Sequence, residues 1–261
     1  MKRALALGGT AALLTLAAAT AADAQENQYY IAGSIGGSFL EDSDNSGNLR
    51  DDLNVTGTGS DLDGTALSAG SNLGWTTEYD ESLTYSLAGG LRKGLYRFEA
   101  ELAYAESDVD TYRGFRAGGA NLTSVDAAVF DEAQTTAVGT TVGNLDASGD
   151  ISTTYLFANA YRDFEFENLP VTPYVGAGIG IGFVEVDYNL GGESLVDDDD
   201  TLFAYQVMAG ASYDVNEQVA LFGEAGYRGT TDIEVETDLV PGSIDIENRG
   251  AIAEIGLRYS F

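Results

Sequence analysis

The chain has 261 residues, with 33 Gly, 15 Tyr and 11 Phe but only 3 Pro, a mixture suited to twisted antiparallel sheet rather than helix. It contains no His and no Cys, which excludes Ser-His triads, Cys nucleophiles, His-based zinc sites and disulfide staples. Acidic residues outnumber basic ones 42 to 12, a formal charge of -30, so nucleic acid is not an expected partner.

The first segment reads as an export signal. Lys2 and Arg3 precede a soft apolar run over 4–19, and Ala22-Asp23-Ala24 supplies the small-x-small pattern of a cleavage site. Cleavage after Ala24 assigns 1–24 to a signal peptide and starts the mature chain at Gln25. The run is too short and Ala-rich for a retained anchor, and no later window holds the ~20 apolar residues of a spanning helix.

Eight stretches then alternate with period 2, the mark of a strand with two unlike faces. The first puts Tyr29, Ile31, Ile35 and Phe39 on one side, and the second Leu83, Tyr85, Leu87 and Leu91. In the third, Tyr96, Phe98, Leu102 and Tyr104 face one way and Arg97, Glu99 and Glu101 the other. The fourth, "STTYLFANAYR" over 152–162, alternates poorly and its faces stay open. The fifth, "PYVGAGIGIGFVEV", opposes Val175, Ile179, Ile181 and Phe183 to Gly176, Gly178, Gly180 and Gly182. The sixth carries Phe203, Tyr205, Val207 and Tyr213. The seventh carries Leu221, Ala225 and Tyr227 against Glu224 and Arg228. The eighth carries Ile255, Leu257, Tyr259 and Phe261 against Glu254 and Arg258.

Connections after the even strands are compact ("RKG", "DFEFENLP", "DVNEQ"), whereas those after the odd strands span 41–81, 106–150, 187–201 and 230–247. Strict alternation of short and long connections is the pattern of a transmembrane barrel with short periplasmic turns and long extracellular loops. The faces agree. One side of each strand is large and apolar, suited to lipid, and the other is small or charged, too poor in volume to fill a soluble core. Aromatics near strand ends (Tyr29, Phe39, Tyr96, Tyr104, Tyr213, Tyr259, Phe261) would form interfacial girdles. The expected fold is therefore all-β, an eight-stranded antiparallel up-and-down transmembrane β-barrel over 25–261 with four long acidic extracellular loops, in the outer membrane of a Gram-negative cell.

The ending "EIGLRYSF" places Gly256, Tyr259 and Phe261 in a polar-x-Gly-x-x-apolar-x-apolar pattern. It resembles the C-terminal signal by which outer-membrane proteins are recognised by the barrel-assembly machinery. "PYVGAGIGIG", "FAYQVMAGASYDV" and "GYR" resemble strand motifs of small eight-stranded surface-antigen barrels, the family of the opacity proteins and of the transmembrane part of outer membrane protein A. The resemblance spans 25–261 and is sharpest after 150. It implies surface display, adhesion or envelope integrity, without enzymatic activity, and an unidentified extracellular partner for the loops beside outer-membrane lipid.

Two sets of residues could carry chemistry. Arg97, Glu99, Glu101, Glu224, Arg228, Glu254 and Arg258 point into the expected lumen. Eight strands leave an interior that side chains just fill, so these charges are expected to pair and plug it. The alternative is a narrow channel for ions or small solutes past Arg97, Glu101 and Arg228. A soluble periplasmic barrel holding an apolar ligand is opposed by the outward aromatics. In "DSDNSGNL", Asp42, Asp44 and Ser46 precede Gly47 like half of a calcium loop, although the twelfth position is Leu53 instead of Glu. With the Asp run over 197–200, this leads to an expectation of weak divalent-cation association and no cofactor.

Overall fold

The computed structural model describes residues 27–55, 58–59, 63–64, 66–130, 138–237 and 242–261. The signal peptide assigned to 1–24 lies outside the described residues. Eight long strands, here β1 to β8, are Asn27–Leu40, Ser82–Lys93, Tyr96–Ala117, Ala147–Asp163, Thr172–Leu190, Glu193–Asp214, Val219–Thr230 and Arg249–Ser260. Each pairs antiparallel with its neighbour in sequence. The pairing of β1 with β8, Tyr30 opposite Ser260 through Leu40 opposite Gly250, closes the ring. Closure leaves no unpaired ladder in hydrocarbon, where each free backbone group would cost several kcal/mol.

The outward face is the apolar one. Ile31, Ile35, Leu87, Phe98, Leu102, Ile179, Val207, Ile255 and Leu257 are all exposed, while Arg97, Glu101, Gln206, Arg228 and Glu254 are buried inside. The fourth strand, whose faces the pattern left open, turns Tyr155, Phe157, Asn159 and Tyr161 inward and Leu156 outward. Four glycines on β5 make room for them. A Cβ at Gly176 would lie 2.3 Å from the Tyr161 ring, and one at Gly178 would lie 1.9 Å from Asn159 Oδ1.

Beyond the lipid-facing belt the faces exchange character. On β5 the outward row Val175, Ile179, Ile181, Phe183 continues as Glu185 and Asp187, and the inward glycine row continues as Val184, Val186, Tyr188 and Leu190. On β3 the outward row continues as Glu106, Asp108 and Asp110, with Val109, Tyr112 and Phe115 inside. The strands run on unbroken, but their surroundings change from lipid outside to water outside, so the apolar side must change too.

Parts of the long connections are consequently strands too. The segment 187–201 is a continuous β5–β6 hairpin turned by Gly191 and Gly192, both at positive φ (62° and 88°), the backbone that a two-residue hairpin turn requires. The segment 41–81 contributes Ser43–Leu49 and Asn72–Tyr79, and 230–247 contributes the hairpin Ile233–Thr237 and Gly242–Ile246. Together with the upper halves of β3 to β6 they form one sheet, in the order 233–237, 242–246, 43–49, 72–79, β3, β4, β5, β6. This sheet curls into a cap around Trp75, Phe115, Tyr112, Tyr188, Val184, Val186, Ile233, Ile244 and Ile246. Trp75 stacks on Phe115 at 5.8 Å between ring centroids.

Candidate functional site: a plugged lumen beneath an acidic cap

The lumen charges gather in two clusters. In the middle, Arg228 Nη2 lies 3.0 Å from Glu101 Oε1 and 3.7 Å from Glu254 Oε1, and its Nε donates to Gln206 Oε1 at 2.8 Å. Glu101 Oε2 also accepts from Asn159 Nδ2 at 2.5 Å and Gln206 Nε2 at 2.8 Å. Glu254 Oε2 accepts from Ser34 at 2.7 Å. The Arg228 guanidinium lies against the rings of Tyr155 and Phe157, at 5.4 and 5.6 Å. Toward the short turns, Arg97 Nε pairs with Asp163 Oδ1 at 3.0 Å and Nη1 with Glu99 Oε1 at 3.1 Å. Its guanidinium lies over Tyr161 and Tyr174 at 4.4 and 4.5 Å, and Tyr30 donates to Glu99 at 2.6 Å.

Of the seven expected lumen charges, these clusters bring together Arg97, Glu99, Glu101, Arg228 and Glu254. The remaining two, Glu224 and Arg258, line a cavity of about 20 Å³ between the clusters, and Arg258 sits between the rings of Tyr30 and Phe222. A buried charge is tolerated when paired and hydrogen-bonded, and the amides and hydroxyls serve that need. Sequence patterning missed Tyr30, Asn159, Asp163, Gln206 and Thr84, which accepts from Arg228 Nη1 at 3.3 Å. Gln206 and Asn159 stand opposite Gly178 on its two neighbouring strands, a register that the sequence does not supply.

The lumen is filled from the network to the cap. A residual space of about 10 Å³ lies between Ser38, Tyr155, Arg228, Asn248 and Ile252, the size of a single water. Asn248 spans the junction, donating to Thr153 Oγ1 at 2.9 Å. At the short-turn end a vestibule of about 300 Å³ opens between Gln28, Tyr30, Arg92, Arg97 and Arg258.

Asp42, Asp44 and Ser46, the weak cation candidates, are spread along one extended segment. Asp44 and Ser46 lie on the strand Ser43–Leu49, with Asp42 just before it, and all three are exposed. Residues two apart along a strand stand about 7 Å apart, too far to close on one ion. Asp44 instead accepts from Thr76 at 2.8 Å. The structural work in this stretch belongs to Ser43 and Asn45, which are fully buried. Ser43 donates to Asn45 Oδ1 at 2.7 Å, and Asn45 donates to Thr77 at 2.6 Å. Among the described residues no group of three or more acidic side chains is arranged to hold a metal.

The residues read as an assembly signal sit at the closing seam. Gly256 faces inward, where a Cβ would lie 2.4 Å from the Phe222 ring, while Tyr259 and Phe261 are exposed. The Phe261 N–H donates to Tyr29 O at 3.0 Å.

The cap's outer surface is acidic. Asp108, Asp150, Asp187 and Asp197 stand directly opposite one another across β3 to β6. Partial burial, with Glu106, Asp187, Asp108 and Glu185 nearby, raises the Asp150 carboxyl above its ordinary range.

An apolar belt facing outward, a closed ring and a polar lumen define an outer-membrane β-barrel. The chain belongs to the surface antigen family, whose pattern matches residues 21–250. Major surface antigen 4 of Anaplasma marginale is 30% identical over 162 residues, 60% of this chain and 48% of that protein, so the chain spans about half of its curated relative's length. The outer membrane protein OprG from Pseudomonas aeruginosa shares the fold at a TM-score of 0.54 with 14% identity, covering 90% of this chain and 96% of that one. Neisserial surface protein A is similar at a TM-score of 0.44 and 16% identity, covering 90% and 97%.

Proposed function

We propose that this protein is a non-conducting, non-enzymatic surface barrel whose cap is displayed outside the cell for adhesion or recognition. The observation that carries the reading is the second hydrophobic core. Trp75, Tyr112, Phe115 and Tyr188 sit above the lumen network and close the end that a channel would need open. The channel alternative has the vestibule in its favour, but that space ends at Arg97 and Arg258. Short turns on the opposite side fit a periplasmic orientation, which puts the cap outside. Partners in the surrounding water would meet a carboxylate-rich sheet.

An antibody against the 193–203 segment tests the display. It is expected to label intact cells bearing the protein. Labelling only after the outer membrane is permeabilised would overturn the reading.

A further inference from the structure

The three lumen arginines are not held alike. Arg97 and Arg228 each pair with two carboxylates. Arg258 is only 8% exposed, yet among the described residues it forms no ion pair, and its Nε has no hydrogen-bond partner. It meets rings instead, Tyr30 at 5.2 Å and Phe222 at 5.4 Å. Its cross-strand neighbours are Ala32 and Ala220, which put no charge beside it and leave room around it. The lumen carboxylates are engaged or distant. Glu99 is bound to Arg97 and Tyr30, and Glu254 to Arg228 and Ser34. Glu224 lies four residues beyond Ala220 on β7, about 13 Å along the strand, with Phe222 between. A buried guanidinium without a counter-charge is costly, and an anion relieves that cost.

We propose that the vestibule at the short-turn end is a binding site for a small carboxylate, with Arg258 as its principal partner. Arg258 and Arg97 both line that space, and Arg97 Nη2 also has no partner. Gln28 and Ser260 add neutral donors to the wall, and about 300 Å³ accommodates a small acid with some of its water. A carboxylate accepts charge-assisted bonds from the guanidinium fork, which the Tyr30 and Phe222 rings already hold in place. Asp214 and Glu217 line the same vestibule and repel a dianion more than a monoanion, which favours carboxylate over phosphate. The space ends at the two arginines, so the acid enters and leaves by one mouth, and binding here is not transport. The carboxylate belongs either to a free acid or to the end of a peptide. The site lies at the opposite end of the barrel from the cap and does not depend on what the cap recognises.

The test uses the mature protein in lipid nanodiscs at constant ionic strength. Acetate and N-acetyl-trialanine, which ends in a carboxylate, are titrated against the nuclear magnetic resonance signals of the arginine Nε–H groups. Acetamide and the amidated tripeptide are the controls. Acetate is expected to shift the Arg258 signal saturably and to bind at least about tenfold more tightly than acetamide. Tighter binding of the tripeptide than of acetate would support a chain end as the source, and equal binding a free acid. The variant Arg258→Gln should lose the saturable response at Tyr30 and Phe222, and the wild-type titration decides whether or not that variant folds. A response to chloride as strong as that to acetate would reduce the effect to ionic screening and overturn the proposal. Tighter binding of inorganic phosphate would overturn it too, as would the lack of any saturable shift at Arg258.

Discussion

At the scale of single residues, the barrel is held by size matching across strands. The glycine row of β5 exists because β4 sends Tyr155, Phe157, Asn159 and Tyr161 inward against it. Gly178→Val would drive a branched side chain onto Asn159, whose Oδ1 already stands 1.9 Å from an added Cβ. It should cost about 1–3 kcal/mol in a urea titration of the folded band. Gly89→Ala, whose Cβ meets nothing within 4 Å, should leave the midpoint unchanged. Equal losses at both sites would mean that the glycines serve backbone freedom rather than packing. Arg228 is the other decisive residue. Arg228→Met leaves Glu101 and Glu254 buried without their cation, at about 3–5 kcal/mol. Adding Glu101→Gln should recover a large part of that, because Asn159 can still donate to the amide oxygen. No recovery in the same titration would show that the pair is not the unit of stability.

At the scale of elements, the acidic ladder on the cap opposes stability. Four aspartates in register across β3 to β6 repel, and like charges directly opposite cost roughly 0.2–1 kcal/mol per pair. Since the Asp150 carboxyl is raised, the folded cap binds its proton more tightly than the unfolded chain does. That contribution is therefore most favourable below the ordinary carboxylate range near about 3.9 and declines as pH rises through the raised value. Asp150→Asn should raise the cap's thermal midpoint at pH 7 and flatten its pH dependence over the carboxylate range. A lower midpoint in the variant would contradict the repulsion. The same elements explain what the sequence made legible. Inside the membrane belt, period-2 alternation with one unvarying apolar side marked seven of the eight strands and the seven charges on their other face, while 152–162 alternates poorly. Above the belt the alternation persists, but the apolar side changes phase at Phe183–Val184 on β5. A search for one continuous apolar row stops there and reports a loop. Long-range polar partners such as Gln206 and Asn159 were hidden for a different reason: pairing across β4, β5 and β6 depends on register, which spacing along one strand does not supply.

At the scale of the whole molecule, a closed barrel and the cap above it share the strands β3 to β6. The lower has lipid outside and a polar interior, and the upper has water outside and an apolar interior. Charge divides accordingly. Of the basic residues after Gln25, Arg92, Lys93, Arg97, Arg162 and Arg258 lie at the short-turn end, and the cap is left strongly acidic. The junction between the two interiors is where a pore would have to pass, and there the Arg228 network meets the Trp75 core. Single-channel recording of the refolded protein in planar bilayers tests this most directly. The packed junction predicts electrical silence across the accessible voltage range, with and without millimolar calcium. Steady, cation-selective conductance would contradict the sealed barrel and make Arg228, Glu101 and Glu254 the lining of a pore.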